Sequence, residues 1–247
     1  MMIDCLRMRG SALVVILAAA LAAPVSEAAD DAASLSTQAE KFSAAEELLW
    51  MGDQLKAVTR PLVLEYQFEK QGTLETGFRD QVRFIIRKVK PDGMKSAALE
   101  FFSGERQFQI PPEDSTNTNP VLKVYLQGDI YEMNRLTDPE GKARERWRYF
   151  QRRIKYAFAD AAKMQPETFE FAGKRYDGTR VTITPYTDDP RRASFEKFAD
   201  KIYSFVVSDS LPGFLYEIRT TIPGAEGAPP LIDETLRLAA ISPLPQP

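Results

Sequence analysis

From residue 29 to its C-terminus this chain contains neither histidine nor cysteine: its 247 residues include no His, and the single Cys is Cys5. A disulfide framework and a Cys/His metal site are therefore both denied to the fold. Stability has to come from burying apolar surface, which requires a sizeable core. The same absence removes thiol nucleophiles and imidazole bases, leaving carboxylate, hydroxyl, Lys/Arg and Tyr chemistry, or binding. Neither a metal nor a cofactor is expected.

The N-terminus reads as an export signal. Arg7 and Arg9 precede the apolar run Ser11–Ala23, which is followed by Pro24 and the small-residue tripeptide Ser26-Glu27-Ala28. This order predicts a signal peptide over 1–28, cleaved after Ala28, and a periplasmic mature protein. The run is shorter than the roughly 18 to 20 residues a membrane anchor needs, so nothing is expected to span the membrane after cleavage. Cys5 lies ahead of the run, where it cannot become the lipidated first residue of a lipoprotein, and a start at Met8 would omit it. Residues 29–42 read as a flexible polar segment, 43–242 as one domain and 243–247 as a tail. A net charge of −3 provides no electrostatic footprint for nucleic acid.

Hydrophobic spacing orders the rest. Ser43-Ala44-Ala45-Glu46 is a capping-box pattern, predicting a helix to about Ala57 that buries Leu48, Met51 and Leu55. Period-two alternation follows at Leu62, Leu64, Tyr66 and Phe68, then at Phe78, Val82, Phe84 and Ile86, with further strands over 94–102 and 106–110 and a surface loop over 111–118. Asn119-Pro120 opens a predicted helix to about Leu136, and Trp147, Phe150, Ile154 and Phe158 mark a second over 144–163. Short strands are expected at 168–171, 174–176 and 180–184, with turns at Gly173 and Asp177-Gly178. A third amphipathic helix is expected after Asp189-Pro190, carrying Phe195, Phe198, Ala199 and Ile202, and last come strands at 203–208, 214–222 and 232–240.

About nine strands in adjacent hairpins, with helices inserted rather than alternating, predict an α+β fold: a large curved antiparallel sheet, open and half-barrel-like, with about three helices packed on one face. In this order of elements the chain resembles the open half-barrel of periplasmic lipoprotein carriers, which implies a lipid or lipoprotein ligand. The runs Asp129–Thr137, Tyr149–Ile154 and Pro185–Pro190 are also similar to an uncharacterised family of exported Gram-negative bacterial proteins. That second resemblance brings no activity with it.

Few side chains stand out for chemistry. On the helix after Asn119, a 100° plot places Asp129 and Glu132 within the apolar face of Val121, Leu122, Tyr125, Leu126, Met133 and Leu136. Asp80 sits between Phe78 and Val82 on the apolar face of its strand. Desolvated carboxylates of this kind can serve as general acid and base, so Asp129, Glu132 and Asp80 are the catalytic candidates if the protein is a glycan hydrolase. The competing expectation is a buried ion network with Arg135, Arg152 or Arg153. Ser194-Phe195-Glu196-Lys197 matches the S-x-x-K pattern, but no K-T-G accompanies it, and Ser194 and Lys197 fall on the polar side of their helix. Asp189 reads as a helix cap. Arg148, Arg152 and Lys155 form a basic stripe suited to anionic lipid or to an envelope protein partner. Without a catalytic motif, the reading is binding: an apolar ligand, a lipid or acyl chain, held between sheet and helices, with a carboxylate hydrolase and an envelope adaptor as alternatives.

Overall fold

The computed structural model describes residues 42–138, 140–141 and 146–244; the expected signal peptide over 1–28 and residues 29–41 lie outside them. Its frame is one nine-stranded antiparallel sheet in the order β4-β3-β2-β1-β9-β8-β7-β6-β5. The strands are β1 (Leu62–Gln71), β2 (Phe78–Val89), β3 (Lys95–Phe101), β4 (Glu113–Thr116), β5 (Lys163–Phe171), β6 (Lys174–Ile183), β7 (Ile202–Val207), β8 (Leu215–Ile222) and β9 (Ile232–Pro243). The edge strands β4 and β5 do not pair, so the sheet is open. The N-terminal strand β1 lies beside the C-terminal strand β9 at its centre, opposing Leu64 to Ile241 and Phe68 to Leu236. The α+β class expected from the hydrophobic pattern is the class observed.

Two long helices, α2 (Val121–Thr137) and α3 (Arg146–Asp160), pack on one face of this sheet. Because α2 buries Val121, Leu122, Tyr125, Leu126 and Met133 at helical spacing, it packs on the sheet, reaching β8 and β9 from Tyr125, β7 from Asp129 and β1 from Glu132. Its start is fixed by Asn119, whose Oδ1 accepts from Val121 N–H at 3.1 Å while Nδ2 donates to the Tyr66 hydroxyl at 2.9 Å and to Gly213 O at 2.8 Å. α3 places Phe158 on Phe205 of β7 and Phe150 on Tyr186, with ring centroids 5.6 and 5.5 Å apart.

Several local expectations are corrected. The capping box at Ser43 and Glu46 forms, but helix α1 (Ala44–Glu46) runs on only as a π turn over Glu47–Met51 and ends at Gly52, whose backbone is extended. Met51 is consequently 58% exposed, whereas Leu55 is buried because the next turn is tied to the loop before α2 through Leu55 N–H to Asn117 O at 3.2 Å. The expected strand at 106–110 is a 3₁₀ turn at Gly104–Arg106 followed by a single bridge between Phe101 and Phe108, while the expected surface loop holds edge strand β4. β5 begins at Lys163, earlier than expected, and tolerates Pro166 because it is an edge strand. β6 continues through the turn expected at Asp177-Gly178; a Cβ at Gly178 would lie 2.3 Å from Val207 O, so glycine here permits close approach of β7.

No third α-helix follows Pro190. Two 3₁₀ segments, Arg192–Ser194 and Glu196–Asp200, take its place. Glu196 has φ of +49°, which a right-handed helix of L-residues cannot continue through. Phe195, Phe198 and Ala199 are buried as expected, but Ile202 opens β7 and is 37% exposed. Asp189 caps only loosely, accepting from Arg191 N–H at 2.7 Å, and its main ties are to Tyr149, whose hydroxyl donates at 2.6 Å, and to Arg153 at 2.7 Å. It anchors α3 to this segment.

Candidate functional site

Between α2 and the β1–β2–β3 half of the sheet lies a cleft of about 440 Å³. One wall is aromatic. Phe68 from β1, Phe78 from β2, Phe101 at the end of β3, and Phe102 and Phe108 beyond it converge there. Phe102 is at the centre, with ring centroids 4.8 Å from Phe68, 4.7 Å from Phe101, 5.8 Å from Phe78 and 6.1 Å from Phe108. In a regular strand, consecutive residues face opposite sides. Phe102 departs from that rule through a left-handed backbone, φ +65°, unusual for so bulky a residue, and the departure lets Phe101 and Phe102 face the same cluster. Phe108, held by its N–H to Phe101 O at 3.0 Å, remains 40% exposed at the mouth.

The opposite wall is α2. Tyr125, Gly128, Asp129, Glu132 and Arg135 recur at helical spacing and so line one stripe. Gly128 matters by what it lacks: a Cβ there would touch only Phe108, at 3.8 Å. The position faces open space within the cleft.

The polar end is an ion cluster. Lys70 reaches Glu132 at 2.8 Å, Glu234 at 3.1 Å and Glu75 at 3.4 Å, and Arg135 bridges Glu132 and Glu75 at 2.8 and 2.7 Å. The Tyr125 hydroxyl joins it, 3.0 Å from Glu234 and 2.8 Å from Thr220. Burial alone would raise the Glu132 carboxyl, but hydrogen bonds and charge from Arg135 and Lys70 outweigh it and hold the group at about 2. Burial likewise works against the Lys70 ammonium, and Glu234 and Glu132 more than restore it, so its pKa is raised. The Tyr125 hydroxyl is pushed well up, first by burial and then by the charges of Glu234 and Asp129.

Behind the cleft wall, Asp129 is sequestered. Its Oδ1 pairs with the fully buried Lys201 ammonium, and its Oδ2 accepts from the Tyr203 hydroxyl at 2.6 Å. Tyr186 follows, its hydroxyl 3.4 Å from that of Tyr203. Burial first, then the Asp129 charge, raises both tyrosines well above their usual range.

The structure thus brings Asp129 and Glu132 to one wall, a turn apart, as the helical plot predicts. Their partners differ from expectation: of the arginines considered, Arg135 engages Glu132, Arg153 pairs with Asp189 instead, and Arg152 is exposed on the outer side of α3. Lys70 and Lys201 carry the roles expected of arginine. Asp80 does not line the cleft; its side chain, 3% exposed, accepts from Gln81 N–H at 2.9 Å and from the Ser103 hydroxyl at 2.8 Å. Ser194 donates to Arg191 O while the Lys197 ammonium lies over the Phe198 ring, so the S-x-x-K pair forms no nucleophile and base. Arg148, Arg152 and Lys155 are exposed on α3, with Arg148 stacked over Trp147 at 5.3 Å.

Lys70, Glu75, Glu234, Phe102 and Gly128 are site residues that sequence reasoning did not flag. Two of them carried a signal. Lys70 continues the series Leu62, Leu64, Tyr66, Phe68, and Glu234 sits between Ile232 and Leu236, so both fall on the buried faces of their strands.

Chemically, the cleft suits binding better than acid catalysis. Glycoside hydrolysis needs a carboxyl that keeps its proton near neutral pH. Glu132 is held ionised, and both oxygens of Asp129 are engaged. Among the described residues no group of three or more Asp, Glu, Cys or His side chains is arranged to hold a metal ion, and no helix is long and apolar enough to cross a membrane.

No protein-family model matches the chain, and no curated protein is similar to it in sequence. Among solved structures, it aligns with a LolA superfamily protein from Nitrosomonas europaea over 82% of this chain and 94% of that one, with 9% identity and a TM-score of 0.22.

Proposed function

We propose that this protein is a binding protein of the cell envelope that holds an amphiphile, with an acyl or comparable hydrocarbon chain on the phenylalanine wall and a polar end at the Lys70–Arg135 cluster. The observation that supports it is the cleft itself: five phenylalanine rings gathered on one wall, open space at Gly128 opposite, and Lys70, Glu75, Glu132, Arg135 and Glu234 drawn into one ion cluster. A partly exposed aromatic surface of this kind loses free energy to water unless a ligand covers it, at about 0.8 kcal/mol for each methylene buried. The basic and apolar N-terminal pattern supports a periplasmic location, where acyl chains have to be shielded from water.

The test is a titration of delipidated protein with the fluorescent fatty acid cis-parinaric acid. Saturable binding that is competed by long-chain lipids and weakened by Phe102→Ala is the expected result. An absence of saturable binding, together with no lipid carried through purification, would overturn the reading.

A further inference from the structure

We propose that the outer face of the two long helices docks on the surface of an anionic phospholipid bilayer. This surface is separate from the cleft, and its argument does not depend on what the cleft holds.

The basic residues of α3 are concentrated on its solvent side. Arg148, Arg152 and Lys155 recur at i, i+4 and i+7, forming one exposed stripe, and the described helix has a single acidic residue, Asp160. Lys123 of α2 joins Lys155 in lining a groove of about 370 Å³ between the two helices and the segment around Trp50. Among the described residues, no carboxylate lies within 4.0 Å of Lys123, Arg152 or Lys155. The one carboxylate in the groove, Glu46, is engaged by the Ser43 N–H at 3.0 Å. A concentration of positive charge on a chain of net charge −3 is complementary to an anionic surface, not to the protein's own average field.

Charge is only half of the pattern. Large apolar and aromatic side chains are exposed beside it: Met51 at 58%, Tyr131 at 54% and Tyr156 at 51%. Trp50 lines the groove, and Trp147 lies between α2 and α3, its ring centroid 6.4 Å from that of Tyr131. Both tryptophans of the chain are thus on this face. Amphipathic rings interleaved with Lys and Arg form the composition that settles at a headgroup boundary, rings toward the acyl region and cations toward phosphate.

The tryptophans also supply the readout. Full-length mature protein is mixed with phosphatidylglycerol–phosphatidylcholine vesicles and with pure phosphatidylcholine vesicles, and tryptophan emission and co-flotation are followed. The expected result is a blue shift and flotation with the anionic vesicles alone, both lost at high salt. Each basic residue near an anionic surface contributes about fivefold in affinity, so Arg152→Glu with Lys155→Glu should weaken binding at least about 25-fold. Reversing Arg87 and Lys88, exposed on β2, should leave it unchanged, and the cleft variant Gly128→Leu should still float. Equal binding to neutral vesicles, no blue shift with anionic ones, or equal losses from the two charge reversals would overturn the proposal. Failure of the fatty-acid titration would leave it standing.

Discussion

Replacing Gly128 with leucine should make the protein more stable and a worse binder at once. Gly128 is the eighth residue of α2, well inside it, where glycine costs about 1 kcal/mol relative to a good helix former such as leucine. Its missing Cβ would meet only Phe108, at 3.8 Å, so a side chain can enter without moving backbone. For a domain of this size, a gain of about 1 kcal/mol raises the melting temperature by roughly 2 to 4 °C. The four added carbons project into the cleft and take the place of a comparable length of ligand chain. At about 0.8 kcal/mol per methylene, the loss is about 3 kcal/mol, on the order of 100-fold in affinity. Differential scanning calorimetry and a cis-parinaric acid titration on the same preparation measure both effects. A variant that binds as tightly as the parent would show that the ligand does not run past Gly128. A variant that melts lower would show that the space there is not open, and either result refutes the reasoning.

Three other outcomes follow from the ion networks. Because Glu132 is held at about 2 against an ordinary value of 4.5, the stability it contributes is complete above pH 4.5 and is lost as the pH falls from there toward 2. After allowance for the exposed Arg135 partner, denaturant melts should show a decline of about 1 to 2 kcal/mol across that window, absent from Glu132→Gln. Lys201→Met should cost about 3 to 5 kcal/mol, because the Asp129 carboxyl would be left buried without its cation, and the double variant Asp129→Leu/Lys201→Met should recover most of that loss; a double variant no more stable than the single one would count against this assignment. Asp189→Ala should loosen α3 from the 186–195 segment, and amide exchange of α3 should rise more than that of α2.

The large features were legible because they depend on period alone. Alternation in Leu62–Phe68 and Phe78–Ile86 specified half-buried strands, and the 3.6-residue spacing in α2 put Asp129 and Glu132 on the inner face. Errors gathered where tertiary contacts override local pattern. The stretch after Pro190 has a helical arrangement of apolar residues, yet Asp189 is tied to Arg153 and Tyr149, and Glu196 turns left-handed, so the same residues are buried from 3₁₀ turns. Asp177-Gly178 has turn chemistry but lies within a strand, because the glycine answers to the backbone of β7. In the site, the carboxylates were visible and their cations were not. Lys70 adjoins a Gln-Gly turn that hid its place in the alternation, and Lys201 lies 72 positions from Asp129, a separation no local pattern encodes. The aromatic wall was hidden for a related reason: the positive φ of Phe102 reverses the alternation that would otherwise point it outward.

Native mass spectrometry of the protein purified gently from a producing cell tests the central claim most directly. The expected spectrum carries adducts whose masses match acyl lipids, present on the parent protein and depleted on Gly128→Leu. A spectrum of bare protein for both, or the same lipid adducts retained on both, would contradict a ligand held between α2 and the phenylalanine wall.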